Sequence, residues 1–314
     1  MRSRAVFGLL AVLAGVCLAT QGRINGQLGA LLQDGVFAGL ISNGLGLIAL
    51  ITLVLVIPIG RQGVGRLVAA LRDGQLRWWQ CLGGFAGAYL LFSQGVAITA
   101  LGVAVFTVAT VSGQLLSSLV VDRAGLGPAG PKPVTGWRLL GAGMAVGAVV
   151  LAVQGQLDQP AAVWLFVLPA LAGFGLAWQS AVNGQVREAA GNALVAALVN
   201  FSAGTVLLVL GGVVDVLVRG WPASLPGEWW LYTGGAFGMV VIGSSAIVVR
   251  TVGVLLLSLC LVAGQLLGAV LLDLLVPARS AGLTLTEVLG TLITLVAVFV
   301  AALPSRTGSA KITA

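Results

Sequence analysis

Long apolar runs follow one another from end to end of this chain, separated by short stretches where charge, proline or glycine collects. Runs of 18 or more mostly apolar residues are each long enough to cross a hydrocarbon core of about 30 Å as a helix. Ten such spans are read, at 5–23, 36–58, 78–98, 103–121, 136–154, 162–181, 193–217, 229–249, 254–276 and 285–303. The runs are continuous and lack the period-two alternation of an outer-membrane barrel. Connections are short apart from the basic stretch between Arg61 and Arg77 and the Pro/Gly loop at 123–135, and no soluble domain fits between spans. Arg2 and Arg4 ahead of an apolar stretch imitate a signal peptide, but the first run has an internal counterpart and is read as a retained first span.

That counterpart is the key pattern. Gln21-Gly22-Arg23-Ile24-Asn25-Gly26-Gln27 returns as Gln179-Ser180-Ala181-Val182-Asn183-Gly184-Gln185, an offset of 158 residues that also pairs Gly46 with Gly204. A shorter later loop reduces the offset to 151. Trp78-Trp79 then pairs with Trp229-Trp230, Gly83-Gly84 with Gly234-Gly235, and Gly87 with Gly238. Gly102-Val103 pairs with Gly253-Val254, Gly113-Gln114 with Gly264-Gln265, and Asp122 with Asp273. The expected architecture is therefore all-α, a polytopic membrane protein of ten transmembrane helices in two five-helix repeats, 1–155 and 156–314. An odd number of spans per copy turns the second copy upside down, as in many secondary transporters.

Charge sets the orientation. Thirteen of the sixteen basic residues fall on the side that holds both termini; Arg23, Arg219 and Arg279 are the others. The positive-inside rule puts both termini in the cytoplasm. The net charge of +7 lies in short loops, so no nucleic-acid partner is expected. Hydrophobic residues make up 59% and charged residues 8% of the chain, which fits a lipid-bilayer protein, and 46 glycines fit close helix packing in it. Cys17, Cys81 and Cys260 stand at unrelated spacings in apolar surroundings and histidine is absent, so no cofactor, metal site, disulfide framework or His-based triad is expected.

Ten helices in two inverted halves resemble the drug/metabolite transporter superfamily, and the doubled Q-x-x-x-N-G-Q signature is similar to its YdcZ family. The resemblance spans essentially the whole chain. It implies a multi-pass protein of the bacterial inner membrane that moves small metabolites, and it leaves the cargo open.

Polar residues inside hydrocarbon need partners or a wet cavity. Gln114 and Gln265 are mates, each about eleven residues into a span and so near the midplane at 1.5 Å per residue. Two readings stay open: carboxamides lining a central substrate cavity, or interhelical hydrogen bonds that hold the bundle. Gln21 and Asn25 share a helix face, repeated by Gln179 and Asn183. Gln21 and Gln179 are read as cavity residues. For Asn25 and Asn183 the following glycines favour a helix end or local unwinding, with capping and packing as the main role. Gln94 has no amide mate, and Trp178 stands where the first copy has Thr20; such departures from symmetry are where a duplicated site becomes specific. Trp178 either stacks on a ring or cation or anchors the interface.

No acidic residue lies deep in a span, which weakens proton-coupled antiport through a buried carboxylate. Asp122 and Asp273, at the ends of spans four and nine, are read as solvated loop residues, with proton uptake at a gate as the alternative. Arg23 is read as snorkelling to headgroups, with attraction of an anionic group on the outer side as the alternative. Gly143 and Gly147 form a small-residue face on span five for internal packing or a partner helix, including a homodimer. Two motifs are set aside: the G-x-G-x-x-G match at 125–130 lies in a Pro-rich loop with no preceding strand, and the Asn200-Phe201-Ser202 sequon falls inside a span. The leading function is secondary transport of a small-molecule substrate by alternating access. The competing one is a non-transporting membrane subunit or chaperone of a partner complex. An intramembrane enzyme would need a carboxylate, His or Cys cluster that the sequence does not offer.

Overall fold

The computed structural model describes residues 2–127, 130–131, 133–154, 160–222, 224–275 and 285–303. Met1, Lys132, Arg279, Arg306, Lys311 and Ala314, on which part of the orientation argument rests, lie outside them, as does the repeat boundary at 155/156. The helices are α1 (Arg2–Leu32), α2 (Gly35–Val56), α3 (Pro58–Arg72), α4 (Gly84–Leu101), α5 (Val103–Arg123), α6 (Gly136–Gln154), α7 (Pro160–Ala190), α8 (Ala193–Arg219), α9 (Gly234–Leu275) and α10 (Leu285–Ala302). Short 3-10 turns at Trp78–Gly83 and Trp229–Tyr232 lead into α4 and α9. Among the described residues, six helices are long and apolar enough to cross a membrane.

The turn after the first helix of each half is built the same way. α1 stops at Gln33, whose φ of 53° is left-handed, and Asp34 then caps α2 by accepting the N–H groups of Val36 (2.9 Å) and Phe37 (3.1 Å). α7 stops at Gly191 with φ 61°, and Asn192 caps α8 by accepting the N–H of Leu194 at 2.8 Å. A left-handed stop followed by an Asx cap satisfies the loose backbone groups where two helices meet. Gly102, with φ 79°, divides α4 from α5.

Three expectations change. Gly26 and Gly184 do not end or unwind their helices, because α1 and α7 run through them to Leu32 and Ala190. Gly26 serves packing: a β-carbon there would lie 2.6 Å from Cγ2 of Ile98. The basic stretch at 61–77 is not a loop, since most of it is the amphipathic helix α3. Its apolar stripe, spaced three and four residues apart, is masked in the sequence by the arginines between.

The third difference is α9, which joins two expected spans into a single helical element of 42 residues. A straight helix of that length extends about 60 Å at 1.5 Å per residue. Its contacts with α1 show otherwise. Gly234 meets Asn25 and Gly238 meets Gln21, Val248 packs with Ala11, and Cys260 lies at Gly8. Beyond that, Gly264 meets Val12, Gly268 meets Val16 and Ala19, and Asp273 comes within electrostatic range of Arg23. The element therefore descends along α1 and returns beside it, reversing between Val248 and Cys260.

α2 and α8, mates under the longer offset, pack antiparallel on each other. Val36 lies against Gly211, Asn43 against Thr205, and Gly46 against Phe201. The tightest crossings also come in mated pairs. A β-carbon at Gly15 would sit 2.0 Å from the Leu261 carbonyl oxygen, and at Gly173, its mate, 1.8 Å from that of Thr110. At Gly264 it would lie 1.9 Å from the Val12 oxygen, and at Gly113, its mate, 1.9 Å from that of Ala170. Glycine permits helix backbones to approach so closely. Gly143 and Gly147 have no atom within 4 Å of such a carbon, so among the described residues nothing packs on them there.

Candidate functional site

The two signature copies place their amides in two matched settings. Asn25 is fully buried, Gln21 and Gln94 nearly so, and the Asn25 Nδ2 donates to Gln94 Oε1 at 2.8 Å. This face of α1 seats on glycines of α9: a β-carbon at Gly234 would lie 2.5 Å from Asn25 Oδ1, and one at Gly238 would lie 2.8 Å from Gln21 Nε2. Ser42 of α2 closes the same corner, its Oγ 2.7 Å from the Gly234 position.

The second copy repeats the arrangement against the start of α4. A β-carbon at Gly83 would lie 2.8 Å from Asn183 Oδ1, and one at Gly87 would lie 3.2 Å from Gln179 Oε1. Here the neighbour is Asn200 of α8, the mate of Ser42, with its Oδ1 3.6 Å from the Gly87 position. Each half therefore buries its signature against a glycine pair contributed by the other half. Gln179 and Asn183 are half-buried, so this setting is the more open of the two.

Both settings contain buried polar atoms with no hydrogen-bond partner among the described residues: Asn25 Oδ1 and Ser42 Oγ in one, Gln179 Oε1 and Asn200 Nδ2 in the other. Leaving such a group unpaired costs about 1–3 kcal/mol. Four of them in two related places mark positions suited to a polar ligand or to water.

The other expected site residues lie elsewhere. Gln265 is buried and Gln114 half-buried, at the α1–α9 and α5–α7 crossings, where their backbone nitrogens meet Gly15 and Gly173. Neither carboxamide makes a side-chain hydrogen bond among the described residues. Trp178 packs with Val121, Ala177, Ala181 and Leu126, an apolar setting at the α5–α7 contact.

Two charged residues depart from expectation. Arg23 does not snorkel; it is 6% exposed, close to Asp273. Asp273 is not a solvated loop residue but is equally buried, its Oδ2 accepting the Ala104 N–H at 2.6 Å at the start of α5. A carboxylate at a helix start is favourable twice over, through the hydrogen bond and through the helix dipole. Asp122, its mate, pairs instead with Arg138.

Sequence reasoning missed Ser42, Asn43 and Asn200. Asn43 Nδ2 donates to the Phe201 carbonyl at 2.9 Å and to Thr205 Oγ1 at 2.8 Å, tying α2 to α8. The offset that pairs the signatures also pairs Ser42 with Asn200. Polar side chains at matched depths in two apolar spans were the available signal.

The family model described as "Putative inner membrane exporter, YdcZ" matches residues 6–151 and 164–300. The chain belongs to the YdcZ family. This YdcZ-family protein is therefore a multi-pass membrane protein of the drug/metabolite transporter superfamily. No curated protein matches it. A solved structure described only as "Crystal structure of protein" is similar over 96% of this chain and 96% of its own, with 18% identity and a TM-score of 0.52, which is a likeness of fold alone.

Proposed function

We propose that the protein is a secondary transporter of small polar metabolites, working by alternating access between two inverted five-helix repeats whose termini are cytoplasmic. The observation that carries this reading is the pair of amide settings built by Gln21, Asn25, Ser42 and Gln94 on one side and by Gln179, Asn183 and Asn200 on the other. Each leaves buried donors or acceptors for a substrate to satisfy. The antiparallel packing of α2 on α8, the exchanged glycine contacts and the two stretches matched by the family model support the inverted repeat.

Because each signature is seated on the opposite half, a rocking of the halves slides both seats together. That opens one amide setting to its side of the membrane while the other tightens, which is what alternating access at a repeat interface requires. Gln114 and Gln265 stand at the α5–α7 and α1–α9 crossings, each between helices of opposite repeats that the rocking would shift. The family's description as an exporter makes efflux the direction to assay first.

The test is counterflow in proteoliposomes against a panel of amino acids, nucleosides, sugars and amphiphilic drugs. Transport of one class that is lost in the Gln21→Ala and Gln179→Ala variants, both still folded, supports the reading. Transport that persists at wild-type rate in both removes these amides from the site. No flux of any class, with a partner protein co-purifying at fixed stoichiometry, favours the membrane-subunit function instead.

A further inference from the structure

α3 is an amphipathic helix with three distinct faces. Gly60, Gly63, Leu67 and Ala70 are buried, and the helix packs on the α7–α8 turn: a β-carbon at Gly63 would lie 2.8 Å from Val195 and 3.3 Å from the Ala190 carbonyl oxygen. Leu67 and Ala70 join the apolar cluster of Val186, Ala190 and Val195. One side of the helix is thus fixed to the protein.

The flank beside it turns outward and carries charge. Val64 and Leu71 still pack on the same cluster, while Val68 is 39% exposed with Arg61 and Arg72 exposed on either side of it. Arg61, Val68 and Arg72 recur at i, i+7 and i+11 and so lie along one line, with the two arginines about 16 Å apart at 1.5 Å rise per residue. Just beyond, Arg77 and Trp78 are exposed, the indole to 73%.

The opposite flank is different in kind. There Arg66 is turned onto Gly191 at the end of α7, its guanidinium carbon 3.1 Å from the β-carbon position. Asp73, the sole acidic residue between Arg61 and Gly83, follows Arg66 by seven residues and so falls on that side by helix periodicity. The segment's negative charge is therefore kept off the flank of Arg61, Val68 and Arg72.

An exposed valine between exposed arginines, with an exposed tryptophan just beyond, on a helix too short to span, matches the interface of a membrane with negatively charged headgroups. We propose that α3 and the turn after it form a binding surface for anionic phospholipid, with Arg61, Arg72 and Arg77 taking the phosphates and Val68 and Trp78 entering the acyl boundary. The surface rests on the membrane location of the chain and not on its transport activity.

Protein reconstituted in nanodiscs of phosphatidylcholine mixed with phosphatidylglycerol tests this, with native mass spectrometry counting the lipids retained on release. Wild type retains phosphatidylglycerol in preference, and its unfolding midpoint is higher in mixed discs than in phosphatidylcholine alone. Each exposed arginine is worth about fivefold in anionic-lipid affinity. Arg61→Gln and Arg72→Gln each reduce retention by that factor, the double variant multiplies the two losses, and the Lys replacements keep the preference. Circular dichroism checks that the variants are folded, and the single variants suffice where the double one is not. Arg123→Gln, an arginine outside α3, leaves retention unchanged. No preference in wild type, or an equal loss with Arg123→Gln, overturns the proposal.

Discussion

Asn25 and Gln94 meet in a buried hydrogen bond of 2.8 Å that fastens the signature of α1 to the middle of α4. The bond uses the Asn25 Nδ2 and leaves its Oδ1 unpaired, so one asparagine both holds the bundle and presents an acceptor. Packing and cavity roles for this residue are compatible, because they fall on different atoms of the same amide.

A double-mutant cycle separates the two roles. Asn25→Ala and Gln94→Ala each destabilise the protein, with a coupling of about 0.6 kcal/mol, the usual size for a hydrogen bond between membrane helices. Reversible unfolding in mixed micelles measures it. Coupling indistinguishable from zero would mean that the bond contributes nothing to stability.

Mated glycines should fail alike. Gly15→Ala and Gly173→Ala drive a methyl group into carbonyl oxygens of Leu261 and Thr110, at 2.0 and 1.8 Å. Helix backbones cannot yield cheaply, and overpacking of this kind costs about 1–3 kcal/mol or more. Both variants should lose folded yield on size-exclusion chromatography. Gly143→Ala meets nothing among the described residues and should express like wild type. A well-folded Gly173→Ala would refute the close α5–α7 crossing.

Asp122 and Asp273 occupy equivalent sequence positions in unlike surroundings, so their variants should differ. Asp273→Asn leaves the buried Arg23 without its nearby negative charge and weakens the cap on α5, a loss of at least about 2 kcal/mol. Asp122→Asn disturbs a partly exposed pair with Arg138, a loss of at most about 1 kcal/mol. Thermal melts of both variants decide it, and equal effects would show that burial at Asp273 carries no energetic consequence.

Much of this is legible in the sequence because duplication writes several of the contacts twice. The offsets align Gly83-Gly84 and Gly87 with Gly234-Gly235 and Gly238, and Gly83, Gly87, Gly234 and Gly238 are the glycines that seat the signatures. Helix ends are less legible. Gly26 reads as a terminator by propensity, yet the helix runs through it, and the glycine is there because Ile98 fills the space a side chain would need. Arg23 reads as interfacial by its charge, yet it is buried within electrostatic range of Asp273, a neighbour 250 residues away in sequence that local pattern does not reveal. Asn200 draws notice first as a glycosylation match, and only its pairing with Ser42 under the longer offset points to its place beside the second signature.

The orientation of the halves has a direct test in the turns. In a background where Cys17, Cys81 and Cys260 are replaced by alanine, single cysteines at Gly74 and Gly191 occupy turns that the charge pattern assigns to the cytoplasm. Cysteines at Gln33 and Gly227 occupy turns assigned to the outside. Gly74 and Gly191 adopt left-handed φ values of 68° and 61°, so the exposed Asp73 and Glu188 are kinder nearby positions for the substitution where yield falls. A membrane-impermeant maleimide added to intact cells should modify positions 33 and 227 and leave 74 and 191, or their substitutes 73 and 188, untouched until the cells are opened. Positions 33 and 191 are mates under the longer offset, so their labelling from opposite sides is what distinguishes inverted from parallel halves. Labelling of both from one side would leave the antiparallel packing of α2 on α8 without a transmembrane counterpart.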